Sequence, residues 1–245
     1  MDRQLELQTH ELEEEHWWYR GRRRIIAELL RGVTLAPGAE ILDAGCGSGR
    51  NMVDLARLGT VTGAEISDAS VARARERGIG EVVQCSLTEL PFADGRFELA
   101  VCLDVIEHIE DHLRAMRELY RVVAPGGRLV VMVPAYQWLW SEHDVINHHE
   151  RRYNTRTLST AAAQAGWRQV RTTYFNGLLL PVAIVHRRLT RRTRFVGEPV
   201  SDLHRTPEPF NTALEWPLDA EARLIGMGGR IPVGISLATV FSKPA

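Results

Sequence analysis

The amino-acid sequence predicts an α/β fold on a parallel sheet, and three observations carry that expectation. An apolar run, Ile41-Leu42-Asp43-Ala44, breaks into alternating glycines at Gly45, Gly47 and Gly49, and the stretch from Asn51 to Leu58 then has helical character. Strand, glycine turn and helix start in that order make a nucleotide-type site. Glycine lets backbone approach a ligand, and the N-terminus of a helix points at it. Short apolar strands and helical stretches alternate from there to Pro134, and two more strands fall at 167–175 and 235–241.

The glycine spacing narrows the ligand. A dinucleotide loop runs G-x-G-x-x-G, which from Gly45 puts the third glycine at position 50. Arg50 stands there, and the glycine comes one residue early, at Gly49. No Lys-Ser or Lys-Thr follows, so the phosphate loop of nucleotide triphosphatases does not fit either. The second strand, Val61 to Ser67, contains Glu65 about twenty residues past the loop, where an acid can accept hydrogen bonds from both ribose hydroxyls. Ser67 and Asp68 then start a helix. The third strand spans Glu81 to Ser86 and leads into Leu90-Pro91-Phe92. The fourth, Phe97 to Leu103, runs into Asp104-Val105-Ile106-Glu107-His108-Ile109. A helical stripe of Ile109, Leu113, Met116, Tyr120 and Val123 follows. Ala124-Pro125-Gly126-Gly127 ends it, and Arg128 to Val133 forms the fifth strand, stopped by Pro134.

The string ILDAGCGSG, with Glu65 and the segment Asp104 to His108 in the same order, resembles the first motifs of the class I S-adenosylmethionine-dependent methyltransferases. The resemblance covers Ile41 to Pro134 and, more loosely, the whole chain. It implies a Rossmann-like, seven-stranded, mostly parallel sheet with the last strand antiparallel and helices on both faces. It also implies S-adenosylmethionine as cofactor. The loop from Asp43 through Gly45, Cys46, Gly47 and Gly49 would wrap the methionine moiety, Glu65 would take the ribose and Ile66 would flank the adenine. Backbone at Leu103 and Asp104 would meet the methionine amino group. Family members usually place an acid against the adenine amino group after the third strand. Ser86 occupies that position here and carries no charge, while Leu87 offers its backbone N–H. Glu107 and His108 would face the reaction centre or brace the loop.

A length of 245 residues suits one large α/β domain with a lid. The expected organisation is an N-terminal helical cap at 1–36, a cofactor core at 37–134, a substrate-lid insertion at 135–154, and a C-terminal half at 155–245 with a helical insertion at 176–228. The net charge of −1 supplies no global field for nucleic acid. Cys46, Cys85 and Cys102 show no metal or redox spacing and read as reduced packing thiols of a cytoplasmic protein. The acidic N-terminus is unlike a signal peptide. All thirty basic residues except Lys243 are arginine, which fits a GC-rich bacterial genome.

The segments outside the core bear on the acceptor. In the aromatic and basic stretch His16 to Arg24, Trp18 or Tyr19 can cap the cofactor's sulfonium, since cations favour aromatic faces. Arg20 or Arg23 can pair a carboxylate. A packing helix with a solvated basic face fits the same residues. Between Pro134 and Tyr153 the chain gathers aromatics, three histidines and an acid just past the fifth strand, where loops wall the crevice of open α/β sheets. Tyr136, Trp138 and Trp140 supply apolar surface, with Arg152 and Tyr153 beside them. His143 or His148 is the candidate base, because imidazole is suited to proton exchange near neutral pH, and Asp144 would orient it. The alternatives are lid hydrogen bonds or a metal held by His143, His148 and His149. One contiguous loop is poor tetrahedral geometry, so no metal is expected. Thr155 to Ala165 reads as a helix capped by Asn154 or Thr155, and Val196 to Pro209 as the nearest thing to a linker.

The apolar run Leu178 to Val185 is too short to span a bilayer. With the arginines at 187–194 it suits either a lid helix or peripheral contact with an anionic membrane. The expected activity is methyl transfer to an O, N or C atom of a small-molecule acceptor, a specialised metabolite or sugar-like intermediate, by a monomer or homodimer. A lipid-linked acceptor and a non-catalytic cofactor-binding module are the alternatives.

Overall fold

A computed structural model describes residues 3–185 and 206–245 of the chain. Seven strands form one sheet: β1 (Glu40–Ala44), β2 (Thr60–Glu65), β3 (Glu81–Gln84), β4 (Phe97–Leu103), β5 (Val123–Pro134), β6 (Arg168–Phe175) and β7 (Ser236–Ser242). Their order is β3-β2-β1-β4-β5-β7-β6, mostly parallel with the last strand antiparallel. The order reverses between β1 and β4, which pair in parallel at Ile41–Leu99, Leu42–Ala100 and Asp43–Val101. Ligands bind beyond the carboxyl ends of strands at such a switch point. β1 and β4 are buried along almost their whole length, as strands covered on both faces must be.

The chain divides into two compact units. One comprises Gly32–Val133, Thr155–Thr172 and Ala238–Ala245. It carries four of the strands whole and the greater part of the other three. It also contains four helices besides short turns: α3 (Arg50–Leu55), α4 (Asp68–Glu76), α5 (His112–Val122) and α7 (Thr155–Gln164). α5 starts three residues later than Ile109. Asp111 accepts the Arg114 N–H at 3.0 Å as N-cap, and Ile106–His108 form a separate 3-10 turn. Its buried side is Ala115, Met116, Leu119 and Val122. Tyr120 instead meets Trp167 edge-on, and the Trp167 indole donates to the Met116 carbonyl at 3.1 Å. The Ala124-Pro125-Gly126-Gly127 stretch does not separate helix from strand as its composition suggests. Val123 already pairs with Phe97, the register slips before Leu99, and Gly126 at φ 80° takes up the irregularity within β5.

The other unit comprises Met1–Arg31, Pro134–Asn154 and Thr173–Leu237. Its helices include α1 (Arg3–Leu12), α2 (Trp17–Leu30), the short α6 (Glu142–Ile146) and α8 (Glu208–Gly226). α2 and α8 lie in contact. A Cβ on Gly21 of α2 would stand 2.3 Å from Leu218 Cδ1 of α8, so only glycine allows this approach. Arginines on α2 meet acids on α8. Arg20 pairs with Glu208 at 3.3 Å and with Glu215 at 2.9 Å, and Arg24 pairs with Glu215 at 3.0 Å and with Asp219. Pro209 falls in the first turn of α8, where a missing N–H breaks no intrahelical bond. Of the segments expected to be a linker and a basic patch, residues 186–205 lie outside the described residues.

Candidate functional site

The loop after β1 is built from backbone conformations that L side chains resist. Gly45, Gly47 and Gly49 have φ of 78°, 53° and 78°. The reasons differ along the loop. A Cβ on Gly45 would fall 2.4 Å from Val105 Cγ2, so the loop lies tight against the residues after β4. A Cβ on Gly47 would meet no atom within 4 Å, and that glycine answers to its torsion alone. The amides of Gly45 and Cys46 both donate to the Ala64 carbonyl of β2. The Gly47 N–H, at the tip, donates to Glu65 Oε2 at 2.9 Å.

Glu65 is therefore part of the loop's architecture. Its other oxygen accepts from the Ile66 and Ser67 amides at 2.8 and 2.9 Å. Three backbone donors hold one half-buried carboxylate at the carboxyl end of β2. A carboxylate has about four acceptor positions, so capacity for hydroxyl donors remains. Ile66, next in sequence, is 67% exposed, an apolar face presented beside a fixed acid. Ser86 Oγ lies 2.8 Å from Thr88 Oγ1 and accepts the Thr88 N–H, while Leu87 is buried. After β4, Asp104 takes φ 59° and donates its N–H to Met132 of β5 at 2.8 Å. A non-glycine residue in the left-handed region is uncommon and tends to mark a constrained functional turn. Left-handed φ recurs at Tyr136 after β5 and at Asn176 after β6.

The segment after β5 closes on itself. Tyr136 N–H donates to Tyr153 O at 2.6 Å, and Tyr153 N–H donates to Pro134 O at 2.9 Å. At its centre Asp144 is fully buried. The carboxylate accepts from Ser141 N–H at 2.7 Å, His149 Nδ1 at 2.8 Å, Arg152 Nε at 2.6 Å and Arg152 Nη2 at 2.9 Å. Burial pushes its pKa up, but the bonds from His149, Arg152 and Ser141 outweigh that and hold the carboxyl well below the usual aspartate range. With the Asp144 carboxylate as acceptor, the His149 Nδ1 is the donor nitrogen of this contact. The His143 ring stands edge-on to His149 at 5.9 Å. A ladder of stacked rings lies in the same unit. Tyr136 is 5.0 Å from Tyr174 and 5.6 Å from Trp138 between centroids. Burial and the hydrogen bond to Tyr174 push the Tyr136 phenol up.

A family model described as "Methyltransferase domain" matches residues 42–131, the stretch from β1 into β5. Residues 42–131 thus carry a methyltransferase domain of the class I S-adenosylmethionine-dependent kind. A probable S-adenosylmethionine-dependent methyltransferase of Mycolicibacterium smegmatis is 34% identical over 162 residues, 64% of this chain and 61% of that protein. Methyltransferase GfsG of Streptomyces halstedii is 34% identical over 117 residues, 44% of this chain and 42% of that one. A probable tRNA methyltransferase 9B of Mus musculus is 34% identical over 129 residues, 50% of this chain but 28% of its own length. The matched stretch thus spans less than two thirds of each of these relatives. Among solved structures, a putative sarcosine dimethylglycine methyltransferase from Galdieria sulphuraria matches at TM-score 0.61 with 20% identity, covering 92% of this chain and 86% of that one. A structure of the Haloferax volcanii Trm112 methyltransferase activator with a putative methyltransferase matches at TM-score 0.65 and 17% identity, covering 98% and 95%. At these identities the likeness is one of fold.

Class I methyltransferases use S-adenosylmethionine, and the cofactor of this chain is S-adenosylmethionine. The left-handed loop, the Glu65 carboxylate and the exposed Ile66 fit that group. All three lie in the unit that carries most of the sheet, as do Ser86, Leu87, Leu103 and Asp104. The N-terminal residues with expected cofactor roles lie in the other unit and have different tasks. Arg23 donates to the Glu13 and Glu14 carbonyls past the end of α1, at 2.5 and 3.3 Å, and Arg20 is tied to α8. Tyr19 lies 5.5 Å beneath the Arg22 guanidinium, and Trp18 stacks on Phe175 at 5.7 Å.

Two expected acceptor contacts also turn inward. Tyr153 is buried, and Arg152 is buried against Asp144 and the Ala135 carbonyl. Trp138 is exposed and Trp140 half-buried. The histidine engaged by Asp144 is His149, in place of His143 or His148. His148 is exposed at φ 53°, and His143 takes an Asn147 side-chain contact at 3.3 Å. His108 closes the 3-10 turn after β4, its N–H on the Val105 carbonyl at 3.0 Å. One signal for His149 was present in the chain. Ser141 and Asp144 form a capping box, which fixes the Asp144 side chain at the helix start and limits which histidine it reaches.

Proposed function

We propose that this chain transfers a methyl group from S-adenosylmethionine to an O, N or C atom of a small molecule, a specialised metabolite or sugar-like intermediate. The observation that carries the reading is the bond from the Gly47 amide to Glu65, which joins the glycine loop and the β2 carboxylate into one preformed cradle. S-adenosylmethionine supplies a methyl already activated on a sulfonium, so alignment and exclusion of water can provide most of the rate. The cradle's share is binding. Glu65 accepts the ribose hydroxyls, Ile66 covers the adenine, the Gly45–Gly49 backbone encloses the methionine part, and backbone at Leu103 and Asp104 receives its amino group. Leu87 N–H serves the ring, beside an uncharged Ser86.

On the acceptor side, Tyr136 and Trp138 offer aromatic faces, with Trp140 beside them. Where the acceptor loses a proton, His149 is the residue equipped to take it on Nε2, with Asp144 fixing the tautomer. His143 supports that ring edge-on. The net charge of −1 and the three free thiols favour a metabolite acceptor in the cytoplasm over nucleic acid.

Calorimetry with S-adenosylmethionine tests the cradle. Glu65→Ala removes charge-assisted hydrogen bonds of about 1.5–3 kcal/mol and should weaken binding about tenfold or more. Unchanged affinity would refute the assignment. Incubation with metabolite extracts and labelled cofactor tests turnover. Tight binding without any methylated product would mark a non-catalytic module.

A further inference from the structure

The turn after β3 carries a pair of hydroxyls. Ser86 Oγ lies 2.8 Å from Thr88 Oγ1 and accepts the Thr88 N–H at 3.2 Å. Both residues are half-buried. The Glu89 N–H closes the turn on the Ser86 carbonyl at 3.1 Å. Side chains of α5 then hold it. Arg114 Nε donates to the Thr88 carbonyl at 2.9 Å, Arg121 Nη2 donates to the Leu90 carbonyl at 2.8 Å, and Glu118 accepts the Leu90 N–H at 2.9 Å. The hydroxyl pair therefore stands on a braced turn.

That turn adjoins the cradle. Glu65 pairs with Gln84 in the parallel register of β2 and β3, and the Cys85 N–H donates to the Glu65 carbonyl at 2.9 Å. The Gln84 side-chain amide donates to the Ile66 carbonyl at 3.2 Å. Ser86 is the next residue beyond these neighbours of Glu65 and Ile66. All of them lie in one unit.

A serine hydroxyl has one proton and two lone pairs. One lone pair of Ser86 takes the Thr88 N–H. When Thr88 Oγ1 donates to the other, Ser86 is filled as an acceptor and presents only its O–H. When Ser86 donates to Thr88 instead, one lone pair is left for an outside donor. The pair takes either role by rotating two protons. A carboxylate accepts only.

We propose that the purine subsite of this chain does not select for the 6-amino group, so that it takes cofactors whose purine is altered at position 6. The inference rests on the assignment of Glu65 to the ribose and of Ile66 and Leu87 to the base. On that assignment Ser86 and Thr88 are the side chains at the purine edge. A neutral hydroxyl that already serves Thr88 gives an amino group a hydrogen bond of ordinary strength, where a carboxylate would give one about twice as strong. Base recognition is left to the apolar face of Ile66 and to the ring nitrogen that meets the Leu87 N–H, and both leave position 6 unread.

Calorimetry on the full chain with two ligands tests it. One is S-adenosylhomocysteine, the demethylated form of the cofactor, and the other is its analogue with unsubstituted purine in place of adenine. The wild type is expected to prefer S-adenosylhomocysteine by less than about tenfold, the value of one neutral hydrogen bond. Ser86→Asp places an acceptor-only charge at the same point and should widen the preference about fivefold or more. A wild-type preference above about tenfold overturns the inference, whether or not the variant folds. Its loss in Glu89→Gln would then assign the purine edge to that exposed acid. An unchanged preference in Ser86→Asp with a native circular dichroism spectrum overturns it too, because Ser86 would not face the base. Binding of neither ligand would refute the cradle itself, and the inference falls with it.

Discussion

Replacing Asp144 by Asn tests the centre of the 134–153 segment. The side chain keeps its size, so the change is one of charge and donor direction. The carboxylate accepts from five donors, of which Arg152 supplies two nitrogens at 2.6 and 2.9 Å and is itself buried. The substituted amide would keep one acceptor oxygen and turn an NH2 group toward the remaining donors. The Arg152 guanidinium would then be a buried cation without its counter-charge, a change worth about 3–5 kcal/mol. For a chain of this length about 1 kcal/mol moves the melting temperature about 2–4 °C, so the loss is roughly 6–20 °C. The exposed Glu150→Gln makes the same formal charge change nearby and should stay within about 0.5 kcal/mol.

Thermal melts across pH add a sign. The Asp144 pKa is depressed in the fold, so its contribution is full above the ordinary aspartate value of 3.8 and is lost as pH falls below it. The wild-type advantage over Asp144→Asn should therefore shrink in acid. An equal melting temperature for the two proteins at neutral pH would refute the reasoning, and so would an advantage that persists undiminished at the lowest pH at which both fold.

Other contacts give three further expectations. Gly21→Ala adds a Cβ 2.3 Å from Leu218, an overpacking of about 1–3 kcal/mol against a helix-propensity gain of about 1 kcal/mol, so denaturant unfolding should show a net loss; added stability would mean that α2 and α8 separate easily. Gly45→Ala strains a φ of 78° and drives a methyl into Val105, so S-adenosylmethionine affinity by calorimetry should fall about tenfold or more; retained affinity would show that the loop adapts. Burial lowers the His16 pKa, and its Nδ1 accepts the Trp18 amide as the N-cap of α2. Its contribution is present above the ordinary histidine value of 6.5 and is lost as pH falls below it, and His16→Asn, which keeps a cap, should flatten the melting profile there.

The glycine loop, Glu65 and the strand order as far as Pro134 were legible in the chain because they are local. A buried strand, a left-handed turn and a helix start each leave a pattern within a few residues. The fourth strand matched its expected bounds, Phe97 to Leu103, for that reason. The family motif rests on the same short-range grammar. α5 ends at Val122, as the Pro and Gly after it predict, but the start of β5 was placed too late, at Arg128, because β5 runs through those residues and begins by pairing Val123 with Phe97.

The tertiary structure alone decided which histidine Asp144 holds and what the N-terminal arginines are for. His149 follows Asp144 by five residues, yet its selection depends on how the closed 134–153 segment buries the acid. Arg20 and Arg24 meet acids almost two hundred residues away, and no local pattern encodes such a partner. The same distance hid the acids on the buried face of α8. Hydrophobic periodicity reports that a helix has two faces, and the inner one is then assumed to be apolar. The arginines of α2 and the amides of 176–178 let Glu215 and Glu221 share the buried face with Leu218, Ala222 and Ile225. Sequence thus determined the cofactor chemistry, which is short-range, while only the assembled chain determined which surfaces are left to meet other molecules.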